Sequence, residues 1–221
     1  MRSAPVPLPP ANTDRPLRQG SADKRAAIER AALAVFVREG YARASVDAIA
    51  AEAGVSKRTI YDYYGDKERL FVGVLTDTIE ASDAVFSALL DRTLPADGDL
   101  PSGLLAFGRE FATAVARSPE RAAVMRLMIA EAHHFPALLR QLQGAGATQR
   151  MLATRLATFA DRGLLDLPDP LEAAGHLGAL VTNAVSLRSL IGADLVDEAE
   201  LDQIVTSGVR VFLRAYRPDR D

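Results

Sequence analysis

The chain has no cysteine anywhere in its 221 residues, which removes disulfides, thiolate metal sites and cysteine nucleophiles together. It also lacks any run of 18 apolar residues of the kind that a membrane span needs. Pro5, Pro7, Pro9 and Pro10 stand where a secretory signal would place its apolar stretch, so a cytoplasmic location is expected. Lysine is scarce as well, and Lys24, Lys57 and Lys67 all fall in the first third of the chain. No glycine-rich phosphate loop, His-Glu-x-x-His pair or strand-to-helix serine turn is found, so no enzyme and no cofactor are expected.

What is present is apolar material, 48% of residues, enough for a sizeable core. The net charge of -3 hides a division along the chain. Residues 1–69 hold 12 basic against 9 acidic side chains, and residues 70–221 hold 14 against 20. The first third is thus the better candidate for touching phosphate. Residues 1–21, rich in proline and polar side chains, are expected to be a disordered tail. Arg2, Arg15 and Arg18 leave two readings of that tail open, a minor-groove arm or a solubilising leader.

Beyond the tail no segment alternates as a strand does, whereas apolar residues recur at helical spacing between Gly, Pro and Asp punctuation. The expected fold is all-α with about nine helices. The first covers 22–39, with Ile28, Ala32, Val35 and Phe36 inward and Gly40 as its stop. A short second helix follows Ser45, which can cap it, and buries Val46, Ile49, Ala50 and Ala53. Gly54-Val55-Ser56 makes a tight turn into a third helix over 57–64, and a long fourth covers 66–92. Further helices are expected over 101–117, 120–133, 136–162 with a break at 144–146, 170–191 and 197–216.

Two short helices around a Gly-led turn form a helix-turn-helix, although an ordinary helical corner would look alike. The outward face of the third helix separates the two. Ile60 and Tyr64 can pack inward, leaving Lys57, Arg58, Tyr61 and Asp62 outside, a set that a structural corner does not need. Such a face suits a major groove, where Arg can bridge the two acceptors of guanine.

The ordered series Gly40-Tyr41, Ser45-Val46-Asp47-Ala48-Ile49-Ala50, Ala53-Gly54-Val55-Ser56-Lys57, Thr59-Ile60-Tyr61, Tyr63-Tyr64 and Asp66-Lys67-Glu68 resembles the DNA-binding domain of the TetR family over residues 22–72. Residues 73–221 resemble that family's effector-binding and dimerisation domain, most closely at 126–131 followed by Phe135-Pro136, which is similar to the AcrR and AefR branch. The resemblance implies a dimeric, ligand-released repressor of a palindromic operator. An activator or a regulator without effector are the alternatives. It implies DNA contacts at Ser45, Ser56, Lys57, Arg58, Thr59, Tyr61, Tyr63 and Lys67, with Lys67 and Tyr61 on phosphate. Two positions depart from the family pattern: Ala44 stands where Thr is common, and Arg58 where Gly is frequent.

In the C-terminal part, Phe107, Phe111, Met125, Met128 and Phe159 are spaced as core residues, but also as the lining of an apolar or amphipathic effector pocket, with His133 as a polar member. Ala174, Gly178 and Thr182 with Ile204, Val205, Gly208 and Phe212 are the expected dimer seam. His133, His134 and Glu131 invite a zinc reading, but neighbouring side chains on a helix diverge by about 100° and no metal site is expected. A metal-dependent helical enzyme using Glu131, His133 and His176 is the remote alternative.

Overall fold

Side-chain oxygens one residue ahead of each apolar run set where most helices of this protein begin. The structure, a computed structural model, describes residues 19–136, 146–189 and 196–218. Among these residues it holds nine helices and no strand. α1 is Gln19–Arg43, α2 Val46–Ala53, α3 Lys57–Tyr64 and α4 Lys67–Thr93. α5 is Leu100–Ala116, α6 Pro119–Ala130, α7 Ala147–Asp161, α8 Pro170–Arg188 and α9 Glu198–Ala215. Ser45, Ser56, Asp66, Asp99, Ser118, Asp169 and Asp197 each accept a hydrogen bond from a backbone N–H of the first turn that follows. Each such cap satisfies a donor that the helix itself cannot pair. At Asp99 the bonds from Ser102 also hold the carboxyl below its usual range.

α1 does not stop at Gly40. It runs on to Arg43 through a break at that residue, where φ is 74° and ψ is 164°. A left-handed φ is open to glycine without steric cost, so the chain bends there and resumes its helix. The arm readings of Arg2, Arg15 and Arg18, and residues 144 and 145 of the expected break at 144–146, lie outside the described residues, and Gly146 is the N-cap of α7.

Two apolar clusters organise the helices. One joins α1, α2, α3 and the first two turns of α4 through Ile28, Val35, Phe36, Ile49, Ile60 and Leu70. It also takes in Val124 and Leu127 of α6 and Phe135 beyond it. The other packs the rest of α4 with α5, α7, α8 and α9 around Phe107, Leu156, Phe159, Val181 and Phe212. The end of α6 is therefore built into the N-terminal cluster, although about 50 residues separate it from that cluster's other members in the sequence. No helix among the described residues is long and apolar enough to cross a membrane.

Candidate functional site

α2 and α3 are joined by a turn in which Gly54 takes the left-handed conformation, φ 67°, and donates its N–H back to the carbonyls of α2. Val55 then donates to Ala50 at 3.0 Å, which closes the corner before Ser56 caps α3. Ile60 is buried under α3, and the Tyr64 hydroxyl donates to Glu29 of α1 at 2.8 Å. Burial and the Glu29 bond raise the Tyr64 pKa, so its hydroxyl stays protonated. Arg25 reinforces the same side, donating to Glu29 at 2.6 Å and to Asp77 of α4 at 3.1 Å. Partial burial pushes the Asp77 carboxyl up against the lowering influence of Arg25. One flank of α3 is thus tied to both long helices, and the opposite flank is left to solvent.

That free flank carries Ser56, Lys57, Arg58, Tyr61 and Asp62, all exposed, with Ser45 exposed at the start of α2. The Arg58 side chain is 90% exposed, and its nearest acid, Asp62, lies at 3.9 Å, the outer limit of an ion pair. Exposed pairs four residues apart on a helix contribute only about 0.3–0.5 kcal/mol, too little to withhold Arg58 from another partner. Lys57 reaches Asp47 at 2.9 Å, a bond that raises its pKa and draws α3 toward the start of α2. Ser56 and Thr59 share a hydroxyl contact at 2.8 Å in addition to the cap.

Two of the expected DNA contacts are turned inward. The Tyr63 hydroxyl donates to the Ser21 carbonyl at 3.2 Å and meets the Ser21 hydroxyl at 2.7 Å, so in this structure it ties α3 to the first turn of α1. Lys67 does not point its ammonium outward as a phosphate hook. Its Nζ donates to the carbonyls of Tyr41 at 2.8 Å and Ala44 at 3.0 Å, and lies 4.4 Å from the centre of the Tyr41 ring. The physical reason is the end of α1, whose last carbonyls have no helical partner and attract a cation. Lys67→Ala is accordingly expected to cost about 1.5–3 kcal/mol, the range for hydrogen bonds to a charged group. Melting curves read the stability, and the salt dependence of DNA binding reads the contact. A salt slope that falls by about 1 per subunit would show instead that the ammonium leaves these carbonyls for phosphate.

The residue that closes the site from the far side is Glu131, just after α6 and the one buried carboxylate among the described residues. Its Oε1 accepts the Tyr41 N–H at 2.9 Å, immediately after the Gly40 break, and its Oε2 meets His134 Nδ1 at 2.7 Å. Phe135 packs edge-on against Tyr41 at 4.7 Å and beside Phe71 of α4 at 4.8 Å. From the residues alone, Glu131 beside His133 and His134 fits a metal ligand, the polar lining of a pocket or a plain helix end, and none of these is a latch on α1. The sequence signal for its role is Phe135-Pro136 next to it, an apolar anchor outside any helical stripe. His133 is exposed, and His176 sits on α8, bonded at 2.6 Å to the Tyr216 hydroxyl. No group of three ligands able to hold a metal comes together among the described residues.

The six expected effector residues do not line one space. Phe107 and Phe159 are core residues of the C-terminal cluster, and Met128 packs on the N-terminal one. Met125 is 40% exposed, His133 is exposed and Phe111 is half-buried. α5, which carries Phe107 and Phe111, packs against α4, α8 and α9. A cleft of about 400 Å³ opens elsewhere, between α4 and α7, bordered by Leu90, Met151, Thr154, Arg155 and Thr158.

The expected dimer seam also needs correction. Ala174, Val205, Gly208 and Phe212 are buried inside their own protomer. At Gly208, α9 crosses α8 so closely that a Cβ would stand 2.6 Å from the Leu180 carbonyl oxygen. Val205 fills the space beside Gly108 of α5 in the same way. Small residues at helical spacing here serve close approach within one chain, which the same spacing between two chains would equally have required. Gly178, Thr182 and Ile204 are half-exposed, and a Cβ on Gly178 would meet nothing within 4 Å.

A helix-turn-helix held by a three-helix cluster, joined to a larger helical domain, defines a DNA-binding transcriptional regulator and not an enzyme. Family comparison agrees: residues 28–74 match the tetR family of bacterial regulatory proteins, and residues 102–218 match the C-terminal domain of AefR-like transcriptional repressors. The chain belongs to the TetR family, whose regulators bind operator DNA, dimerise and bind small-molecule effectors. Among solved structures, a TetR-family regulator from Mesorhizobium loti MAFF303099 superposes with a TM-score of 0.80 at 29% identity, covering 90% of this chain and 100% of that one. The flavonoid-responsive regulator FrrA superposes with a TM-score of 0.73 at 31% identity, with the same coverage. The HTH-type transcriptional repressor SCO4008 of Streptomyces coelicolor is 53% identical over 51 residues, which span 23% of this chain and only 27% of that repressor.

Proposed function

We propose that this chain is a cytoplasmic repressor that binds a palindromic operator as a two-fold dimer, places α3 in the major groove and is released by a small molecule. The observation that carries the DNA reading is the split of α3 into an anchored flank and a free one. Ile60 and Tyr64 fix the helix, and Lys57, Arg58 and Tyr61 are left facing outward. In this reading Ser45, Ser56, Thr59 and Tyr61 contact the backbone, and the Arg58 guanidinium reads a guanine through its two acceptors. Repression and release by an effector are supported by the AefR-like repressor domain and by FrrA, which is flavonoid-responsive by name. The latch of Glu131 and Phe135 gives an effector in the C-terminal domain a direct mechanical path to α1 and α4.

Sequencing the genomic DNA that the purified protein enriches identifies the operator. On that operator, Arg58→Ala is expected to cost about 1–3 kcal/mol per half-site and to relax preference at one base position. Non-specific affinity should fall much less. A uniform loss of affinity with an unchanged base-preference profile would mean that Arg58 positions the helix and reads no base.

A further inference from the structure

The cleft of about 400 Å³ between α4 and α7 is lined by one stripe of α7, made of Met151, Thr154, Arg155 and Thr158, and by Ser87 and Leu90 of α4. Spacings of three and four residues put the four α7 side chains on one face of their helix. A volume of this size falls in the range of small-molecule sites, and most of its wall is apolar, as in such sites. Leu90 is buried and Met151 half-buried, and the unbranched thioether of Met151 adapts to a ring laid against it.

The polar groups of this stripe are already committed, each in a direction that limits what can join it. The Arg155 side chain, only 19% exposed, gives its guanidinium to α4, donating to the carbonyls of Leu90 and Leu94 and to the Asp91 carboxylate. The carbonyl end of a helix favours a cation, so this charge is satisfied where it stands and needs no anionic ligand. The Thr154 hydroxyl donates to the Arg150 carbonyl at 3.0 Å, and the Thr158 hydroxyl to the Arg155 carbonyl at 2.7 Å. A hydroxyl has one hydrogen to give. With that hydrogen spent on the backbone, each threonine oxygen can accept a further bond and cannot donate one.

We infer that the cleft between α4 and α7 is the effector site of this regulator and that it takes an uncharged compound of the phenol class, its ring on Leu90 and Met151 and its O–H donated to Thr154 or Thr158. This rests on the reading of the chain as an effector-released regulator, and it specifies where the effector binds and what it must offer. A phenol meets the demand well, because its O–H is a stronger donor than that of an aliphatic alcohol and its ring suits a thioether wall. α4 is one helix from Lys67 to Thr93, with its first two turns in the N-terminal cluster and Leu90 at the cleft. A compound that alters the seating of α4 on α7 therefore acts on the element that carries the helix-turn-helix.

The test is calorimetric titration of the full-length protein with 2-naphthol and with 2-methoxynaphthalene, which keeps the rings and the oxygen but loses the donor. Naphthol should bind about three- to tenfold more tightly, the scale of one hydrogen bond. Thr154→Val combined with Thr158→Val should remove that preference and leave methoxynaphthalene binding unchanged. Ser87→Trp, which fills the cleft from α4, should abolish binding of both probes with helical content retained. Equal affinity for the two probes, no binding of naphthol at millimolar concentration, a preference that survives the double valine variant, or unaltered binding in a folded Ser87→Trp protein would each overturn the inference. Operator release is measured separately. Naphthol that binds through these threonines without loosening the operator complex leaves the phenol site standing and defeats the effector reading. Release by another compound that persists in the Ser87→Trp protein keeps that reading and overturns the cleft as its site.

Discussion

Leu187→Glu is expected to convert the protein into a folded monomer whose operator affinity falls by about three orders of magnitude, into the range of non-specific binding. Leu187 is 73% exposed near the end of α8, and Ala179 and Asn183 precede it at four-residue steps on the same exposed line. On α9, Ser207 and Val211 form a parallel exposed line, with Val211 at 49%. These two lines, flanked by Gly178, Thr182 and Ile204, are the face that we assign to the dimer. A leucine left mostly in water forgoes about 1.5–3 kcal/mol that burial would recover, and a two-fold axis doubles each such contact. A carboxylate at the same place would be buried without a partner in each subunit, at a cost of several kcal/mol. Binding then fails because one half-site lacks its partner's contacts. Gly178→Glu should act in the same way, since it has open space around it in the protomer and will not disturb the fold. Sedimentation gives the oligomeric state and an operator titration gives the affinity. A stable dimer with intact operator binding in both variants would remove α8 and α9 from the interface.

The second large effect is expected at Glu131. The Gly40 break takes the Tyr41 N–H out of the helical ladder, and Glu131 is the acceptor that replaces its lost partner. Glu131→Ala leaves that donor half-buried and unpaired, which costs about 1–3 kcal/mol. In a chain of this size that lowers the melting temperature by roughly 3–10 °C. Glu131→Gln keeps a carbonyl oxygen within reach of the same N–H and should lose much less. Amide hydrogen exchange at Tyr41 separates a local latch from a general loss of stability. The alanine variant should exchange there faster than at Ile49 or Leu70, and the glutamine variant should not. With the tie cut, the end of α6 is held on the N-terminal cluster by apolar packing of Val124, Leu127 and Phe135 without a polar link to α1, so an effector should also release the operator less completely. Unchanged melting and unchanged Tyr41 exchange in the alanine variant would show that Glu131 bears none of this load.

The parts of the protein that are legible along the chain are those whose causes are local. A serine or aspartate one residue before an apolar run caps the helix that follows, and Ser45, Ser56 and Asp66 do so within three residues of themselves. Gly54 turns left-handed because the turn requires it, and Ile60 and Tyr64 share a face because they are one turn apart. The order of these short-range signals carries the helix-turn-helix and with it the family. By itself the sequence therefore determined the all-α class, the turn chemistry and the free flank of α3.

Only the tertiary structure decided which partner each versatile side chain takes. Lys67 carries the same charge whether it meets a phosphate or the carbonyls ending α1, and the approach of those carbonyls, 23 and 26 residues earlier in the chain, selects the second. Glu131 would suit a metal as well as an amide, and the Gly40 break, about 90 residues away, presents the amide. Gly208 and Gly178 are both small residues on the last helices. One is pressed against the Leu180 carbonyl and the other faces open space, because one lies on the side of its helix that meets the neighbouring helix and the other does not. Spacing along a helix states which side chains share a face, and the packing of the other helices states what that face meets.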